Sequence, residues 1–169
     1  MHTLFGTAPA HFNQRTMRAL LEHLPELADA GLVILLSGAI GFEREAKGRP
    51  AGLRTHILVG LSSWLLVVVG IEVTMRYSGV RPADPIRIVQ AVVYGISFIG
   101  AGTIFVAGRT KHHIVGLTTA ATLLATTSIA ISVGFGERFL AVVVTVVILI
   151  VLTVLGSLER RHNAGDEDS

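Results

Sequence analysis

The stretch Glu43-Arg44-Glu45-Ala46-Lys47-Gly48-Arg49-Pro50-Ala51-Gly52-Leu53-Arg54-Thr55-His56 decides how this chain is read. It sets two carboxylates and four basic side chains between an apolar run ending at Phe42 and another beginning at Ile57. Desolvating that many ions in hydrocarbon is too costly, so the stretch lies at a membrane surface and the flanking runs cross the membrane. Gly48-Arg49-Pro50 ends any helix that carries Glu43 to Lys47 out of the bilayer. Ala51-Gly52-Leu53 adds little bulk, so a tight loop of definite shape is expected.

Outward from this loop the composition is that of a membrane protein. Of 169 residues 51% are hydrophobic and 15% charged, and the mean hydropathy is +0.64. A formal charge of +2 from dispersed basic residues leaves no footprint for nucleic acid. With no cysteine, disulfides, thiolate metal sites and cysteine nucleophiles are excluded. A spanning helix needs about 20 apolar residues. Thr55 to Thr74, Ile86 to Ala107, Ile114 to Gly134 and Phe139 to Leu158 meet this, and a shorter run, Leu27 to Phe42, is opened by Pro25 and closed by the charged loop.

The expected fold is therefore an all-α membrane protein, a bundle of five transmembrane helices over residues 27–158. A short amphipathic segment, residues 1–26, precedes it, and a polar tail, residues 159–169, follows. Met17, Leu20, Leu21 and Leu24 share one helical face in the first segment, which has no basic region followed by an apolar core and so does not resemble a cleaved signal peptide. With five spans, the charged loop, the Gly108 to His113 connection and the tail share one side, which holds eight basic residues against six on the other. The positive-inside rule puts that side, with the C-terminus, in the cytoplasm and the N-terminus outside.

Small residues organise the expected packing. Gly31, Ser37, Gly38, Ala39 and Gly41 mark the first helix as an inner one, and Thr118, Thr122, Thr126, Ala130 and Gly134 form a ridge at i+4 spacing on the fourth. The first or third helix is the natural partner of that ridge, while the fifth, almost all Val, Ile and Leu, suits the lipid-facing edge. Glu72 and Arg76 are spaced for an i,i+4 ion pair. Gln90, Tyr94 and Ser97 form a stripe on the third helix that reads either as interhelix hydrogen bonding or as the lining of a polar path. There is also an internal echo: Gly38-Ala39 followed by Gly52-Leu53-Arg54-Thr55 resembles Gly100-Ala101 followed by Gly116-Leu117-Thr118-Thr119, as in a parallel repeat about the membrane normal.

The chemistry these residues support is limited. Ser97 has no histidine at its depth to act as a base, so no catalytic residue is expected. No Asp or Glu lies mid-span, where ion carriers place them; Glu43 and Glu45 are flanked by their own counter-ions, and His56, His112 and His113 lack a recognised metal-ligand spacing. No metal and no cofactor is expected. Arg49, Arg54 and the N–H groups at the start of the second helix converge as a binding place for a phosphate or lipid head group, or equally as a positive-inside anchor paired with Glu43 and Glu45.

The loop also resembles a known family. Gly38 and Gly41, then Glu43-Arg44-Glu45, Arg49 and Ala51-Gly52-Leu53-Arg54-Thr55-His56, look like the signature of the MgtC/SapB family of bacterial inner-membrane proteins. Gly95 to Gly102 and Gly116-Leu117-Thr118-Thr119-Ala120-Ala121 agree in the same order, so the resemblance runs from Gly31 to Gly136. Ser97 stands where the family usually has glycine, Val115 where a basic residue is usual and Leu124 where tryptophan is common. The last two remove any partner contact made through those side chains. The chain is similar to the short, membrane-only type.

The resemblance implies adaptation to low magnesium, survival of pathogens inside host cells and, in one branch, regulation of membrane energetics by contact with the ATP synthase. The expected function is thus a non-enzymatic inner-membrane protein of magnesium homeostasis, acting through a partner or phosphate group at Glu43, Arg44, Glu45, Arg49, Gly52, Arg54, Thr55 and His56. The second set of residues, Gln90, Tyr94, Gly95, Ser97, Gly100, Gly102, Gly116, Thr118, Thr119, Thr122 and Thr126, serves helix packing or, in the alternative, the path of a small magnesium or other cation transporter or channel. The bilayer, a membrane protein and a second copy of the chain are the expected partners.

Overall fold

The computed structural model describes residues 17, 21, 23–77, 84–107 and 113–166. Most of the amphipathic segment expected before the first span, and His112 of the second connection, lie outside them. Five helices follow in order: α1 (Leu24–Ala46), α2 (Leu53–Tyr77), α3 (Ile86–Gly102), α4 (Leu117–Gly134) and α5 (Arg138–Asp166). Each is long and apolar enough to cross a membrane. Two short antiparallel strands, β1 (Phe105–Ala107) and β2 (His113–Val115), join α3 to α4.

The expected boundaries shift for local reasons. The helix begins at Leu24 with Pro25 in its first turn, where the missing N–H costs nothing. It ends at Ala46, with Lys47 as its C-cap and Gly48 just beyond at a φ of 62° that suits glycine. There Gly48 N–H donates to Glu45 O (2.9 Å) and Arg49 N–H to Arg44 O (3.0 Å), the paired bonds of a Schellman ending. The same pair closes α4, from Gly136 to Val133 (2.9 Å) and from Glu137 to Ser132 (2.8 Å). α5 runs on to Asp166 through Glu159, Arg160 and Arg161, good helix formers, so the tail expected to begin at residue 159 is helical up to Asp166.

The largest correction concerns Ile104 to Ala107 and Ile114 to Val115, which apolar content alone assigns to the third and fourth spans. They form the ribbon instead. Gly116 at φ 93° forces the turn into α4, and a Cβ there would overlap the Thr103 carbonyl. Only glycine lets the end of α3 and the start of α4 meet so closely.

Tight helix contacts assemble the bundle. α1 and α2 pack antiparallel: a Cβ on Gly41 would lie 2.8 Å from Leu53 Cα, and one on Gly60 2.6 Å from Ser37 Oγ. α4 is central and touches the other four helices; α5 covers α1 and α4. Val33, Ile40, Trp64, Ile129, Ala130, Val133 and Ala141 form the main core. The small ridge on α4 packs as expected at Thr122, Thr126 and Ala130, which are buried, but Thr118 is exposed. α3 meets α4 where Gly100 faces Ala120. α2 is an additional close neighbour, with Ser63 Oγ donating to Thr127 Oγ1 (3.3 Å) and Val67 set against Gly134.

These contacts give the internal echo a geometry. A shift of 64 residues carries Gly52, Leu53 and Ser63 onto Gly116, Leu117 and Thr127. Contacts between α2 and α4 advance together along both helices, so the two run parallel. Ser63 and Thr127, related by that shift, meet each other.

Candidate functional site: the charged-loop face

The loop expected to carry function is organised by its own ions. Glu45 lies in the last turn of α1 and turns back over the loop, and its Oε2 accepts from Leu53 N–H (2.8 Å). The carboxylate thereby caps α2, where the free N–H groups and the helix dipole favour negative charge. Gly52 makes room for it: a Cβ at that position would lie 2.7 Å from Glu45 Oε2. The anion at the start of α2 is therefore the chain's own. Sequence reading left this place to an external phosphate because nothing in residue spacing shows that Glu45 reaches eight residues forward.

Glu43 and Lys47 form the second unit. They pair one turn apart on α1, and Lys47 Nζ also donates to Leu152 O (2.7 Å), tying the loop face to α5. Glu43 Oε2 lies 3.6 Å from Arg44 Nε, too far for a hydrogen bond. Arg44 is only 3% exposed and its Nε has no hydrogen-bond partner. His56 is fully buried; its Nδ1 pairs with Gly52 O (2.9 Å) and its Nε2 has no partner. Arg49 and Arg54 are exposed, while Thr55 is half-buried. Arg44, Lys47, Arg49 and Thr118 line a recess of about 190 Å³ closed on its apolar side by α5. A larger cleft of about 520 Å³ adjoins it at Gly48, Arg49, Pro50 and the first turn of α4.

The second set of candidate residues does not converge on one site. Gln90, Tyr94 and Ser97 are exposed, with Tyr94 at 71%, and Ser97 Oγ donates to Val93 O of its own helix (2.7 Å). The stripe faces away from the bundle, contrary to both interhelix hydrogen bonding within this chain and a path through it. A shared helical face is legible in sequence; its direction is not. Gly95 lines an outward groove between α2 and α3, Gly100 packs on Ala120, and Gly102 is exposed. Thr119 is buried, and the Thr122 and Thr126 hydroxyls donate to Thr119 O and Thr122 O of their own helix (2.9 Å each).

Among the described residues, two arginine–carboxylate pairs lie near the other ends of the helices. Glu72 and Arg76 pair at 2.5 Å with the expected one-turn spacing. Sequence reading missed the second: Arg138 Nε and its terminal nitrogen donate to the two oxygens of Asp29 (2.5 and 2.9 Å), joining α5 to α1 across 109 residues. The available signal was an acid and a base at the starts of two spans assigned to the same side. Among the described residues no three His, Asp or Glu side chains converge as metal ligands.

Comparison with known proteins shows the family. Residues 31–161 match the MgtC family. YhiD of Escherichia coli K12, described as a candidate magnesium transporter, is 41% identical over 133 residues, covering 77% of this chain and 60% of YhiD. MgtC of Brucella abortus strain 2308 is 40% identical over 124 residues, 73% of this chain and 48% of that protein. SrpB of Synechococcus elongatus is 37% identical over 134 residues, 76% of this chain and 74% of SrpB. The chain thus spans about 60% of the E. coli relative and about half of the Brucella one. No solved structure matches.

Proposed function

From the premise that this chain belongs to the MgtC family, we propose that it serves magnesium homeostasis without catalysis, as a multi-pass protein of the bacterial inner membrane. Its charged-loop face is turned to the cytoplasm, with the N-terminus outside, and is a contact surface for another membrane protein. The ATP synthase is the partner that the family resemblance offers.

One observation carries this reading: the ions of the loop are locked to neighbouring helices. Glu45 holds the start of α2 and Lys47 holds α5, so Arg49 and Arg54 stand exposed on a braced frame. A fixed array of cations at a membrane surface suits recognition, because little conformational entropy remains to be lost on binding.

The description of YhiD supports a second reading, a small magnesium or other cation transporter. The interior favours the first. Asp29 and Glu43 are already paired with Arg138 and Lys47, so these carboxylates are not free to replace the waters that magnesium retains.

Magnesium flux into proteoliposomes separates the two. Flux no greater than in empty liposomes is expected, for the native chain and for an Arg54→Ala variant alike. Flux above the control that Glu43→Ala and Arg54→Ala together abolish, in protein shown to be inserted, would establish transport and remove the contact-surface reading. In cells, Arg54→Glu is expected to lose at least half of the growth advantage at low magnesium while its membrane level stays unchanged.

A further inference from the structure

We propose that the recess between Arg44, Arg49 and the first turn of α4 is a binding site for a phosphate group. This deepens the contact-surface reading above and rests on it.

The two inner helices begin on the same face, yet their N-termini are treated differently. α2 is capped by Glu45. α4, 18 residues long, starts at Gly116 with no side-chain cap, so the N–H groups of its first turn and its dipole look onto the cleft beside Arg49. A helix end alone is no site. The independent observation is Arg44: its side chain is 4% exposed, its Nε lies 3.6 Å from Glu43 Oε2 without a hydrogen bond to it, and the residue lines the adjoining recess with Arg49 and Thr118. Glu43 supplies charge there but no hydrogen bond, and a buried guanidinium with an unspent N–H is costly unless an acceptor reaches it.

Charge points the same way. Arg44, Lys47 and Arg49 bring three positive charges to the recess, and Glu43, bound to Lys47, offsets one. The remaining donors are a buried guanidinium, an exposed one, the Thr118 hydroxyl and helix N–H groups. They outnumber what the two oxygens of a carboxylate accept and match the three or four of a phosphate. Apolar Val151, Leu152 and Leu155 of α5 lie beside them, a setting that suits a head-group phosphate with its acyl chains attached. The phosphate therefore belongs either to an anionic lipid or to a free phosphate species.

Two titrations of the purified full chain distinguish these sources and need neither flux nor a partner, so their failure is separate from failure of the contact-surface reading. Inorganic phosphate is titrated by calorimetry into the chain in nanodiscs of zwitterionic lipid. Phosphatidic acid is compared with phosphatidylcholine by native mass spectrometry of the detergent-solubilised chain. Binding is expected in at least one arm, weakened about tenfold or more by Arg49→Gln and about threefold by Thr118→Val. Arg76→Gln, on the opposite face, is expected to bind as the native chain does. Both test residues are exposed, so their variants fold even if Arg44→Gln does not. Binding of phosphatidic acid alone assigns the site to a lipid head group, and binding of inorganic phosphate assigns it to a soluble species. No binding in either arm, or binding that neither Arg49→Gln nor Thr118→Val weakens, overturns the proposal.

Discussion

At the charged-loop face α2 begins beneath the Glu45 carboxylate, while α4 begins beside an ungated cleft with no side-chain cap among the described residues. The two helices are otherwise close equivalents. Each starts with Gly-Leu, follows an antiparallel partner helix and meets the other at Ser63 and Thr127. What differs is the connection. The loop of the first hairpin carries its own anion back onto the helix it precedes; the ribbon of the second brings backbone, the Thr103 carbonyl, against Gly116. The two helix starts are thus finished in two ways: one is satisfied by the loop's own carboxylate and the other has no side-chain cap. That asymmetry, more than the number of charges, makes the loop face directional.

Backbone contact should be the less forgiving of the two solutions, and Gly116→Ala tests this with the largest effect. A side chain there meets both a left-handed φ and the Thr103 carbonyl carbon 2.7 Å away, so a loss of about 4 kcal/mol or more is expected. It would be seen as failure to recover a monodisperse chain from detergent. Gly48→Ala has a similar φ with nothing nearby and is expected to cost only about 1–2 kcal/mol. Equal losses in the two variants would place the cost in dihedral strain and erase the contrast drawn between the hairpins.

The carboxylate cap ranks next. Glu45→Ala and Gly52→Ala should each lower stability by about 1–2 kcal/mol, the first by deleting the cap and the second by displacing it. Because both remove one interaction, the double variant should be little worse than either alone in thermal unfolding. Full additivity would mean that Gly52 serves something other than the cap.

The smallest effect is expected at the point where the hairpins meet. Ser63→Ala removes one interhelix hydrogen bond and should cost about 0.6 kcal/mol. Thr127→Val, which keeps the shape, should cost about the same, and the double variant no more. A loss of several kcal/mol would indicate that the hydroxyl pair, and not small-residue packing, holds α2 to α4.

Five spans, the tight charged turn and the inner place of the first helix were legible in the residues, because hydrocarbon rejects ions and small side chains permit helix approach; the close packing of α2 on α1 and α4 was not. The Glu72 and Arg76 pair was legible for a similar reason, being local to one helix turn. The ribbon was not: Ile104, Phe105, Ile114 and Val115 satisfy a membrane span by apolarity as well as they satisfy a strand, and only the meeting of Gly116 with Thr103 ends the helices. The Gln90, Tyr94 and Ser97 stripe was legible as a face but not as an outward one, since the usual rule that polar faces look away from the interior loses its meaning when the surroundings are lipid.

By itself, the sequence determined the number of apolar helices and which charged residues gather between the first two, since transfer free energies and helix-breaking residues act locally. Only the tertiary structure decided which ions are spent. Glu45 on α2, Lys47 on α5 and Asp29 with Arg138 are contacts between separate elements, and their partners depend on how five helices of similar composition pack, a property of the whole bundle that no single stretch of residues contains.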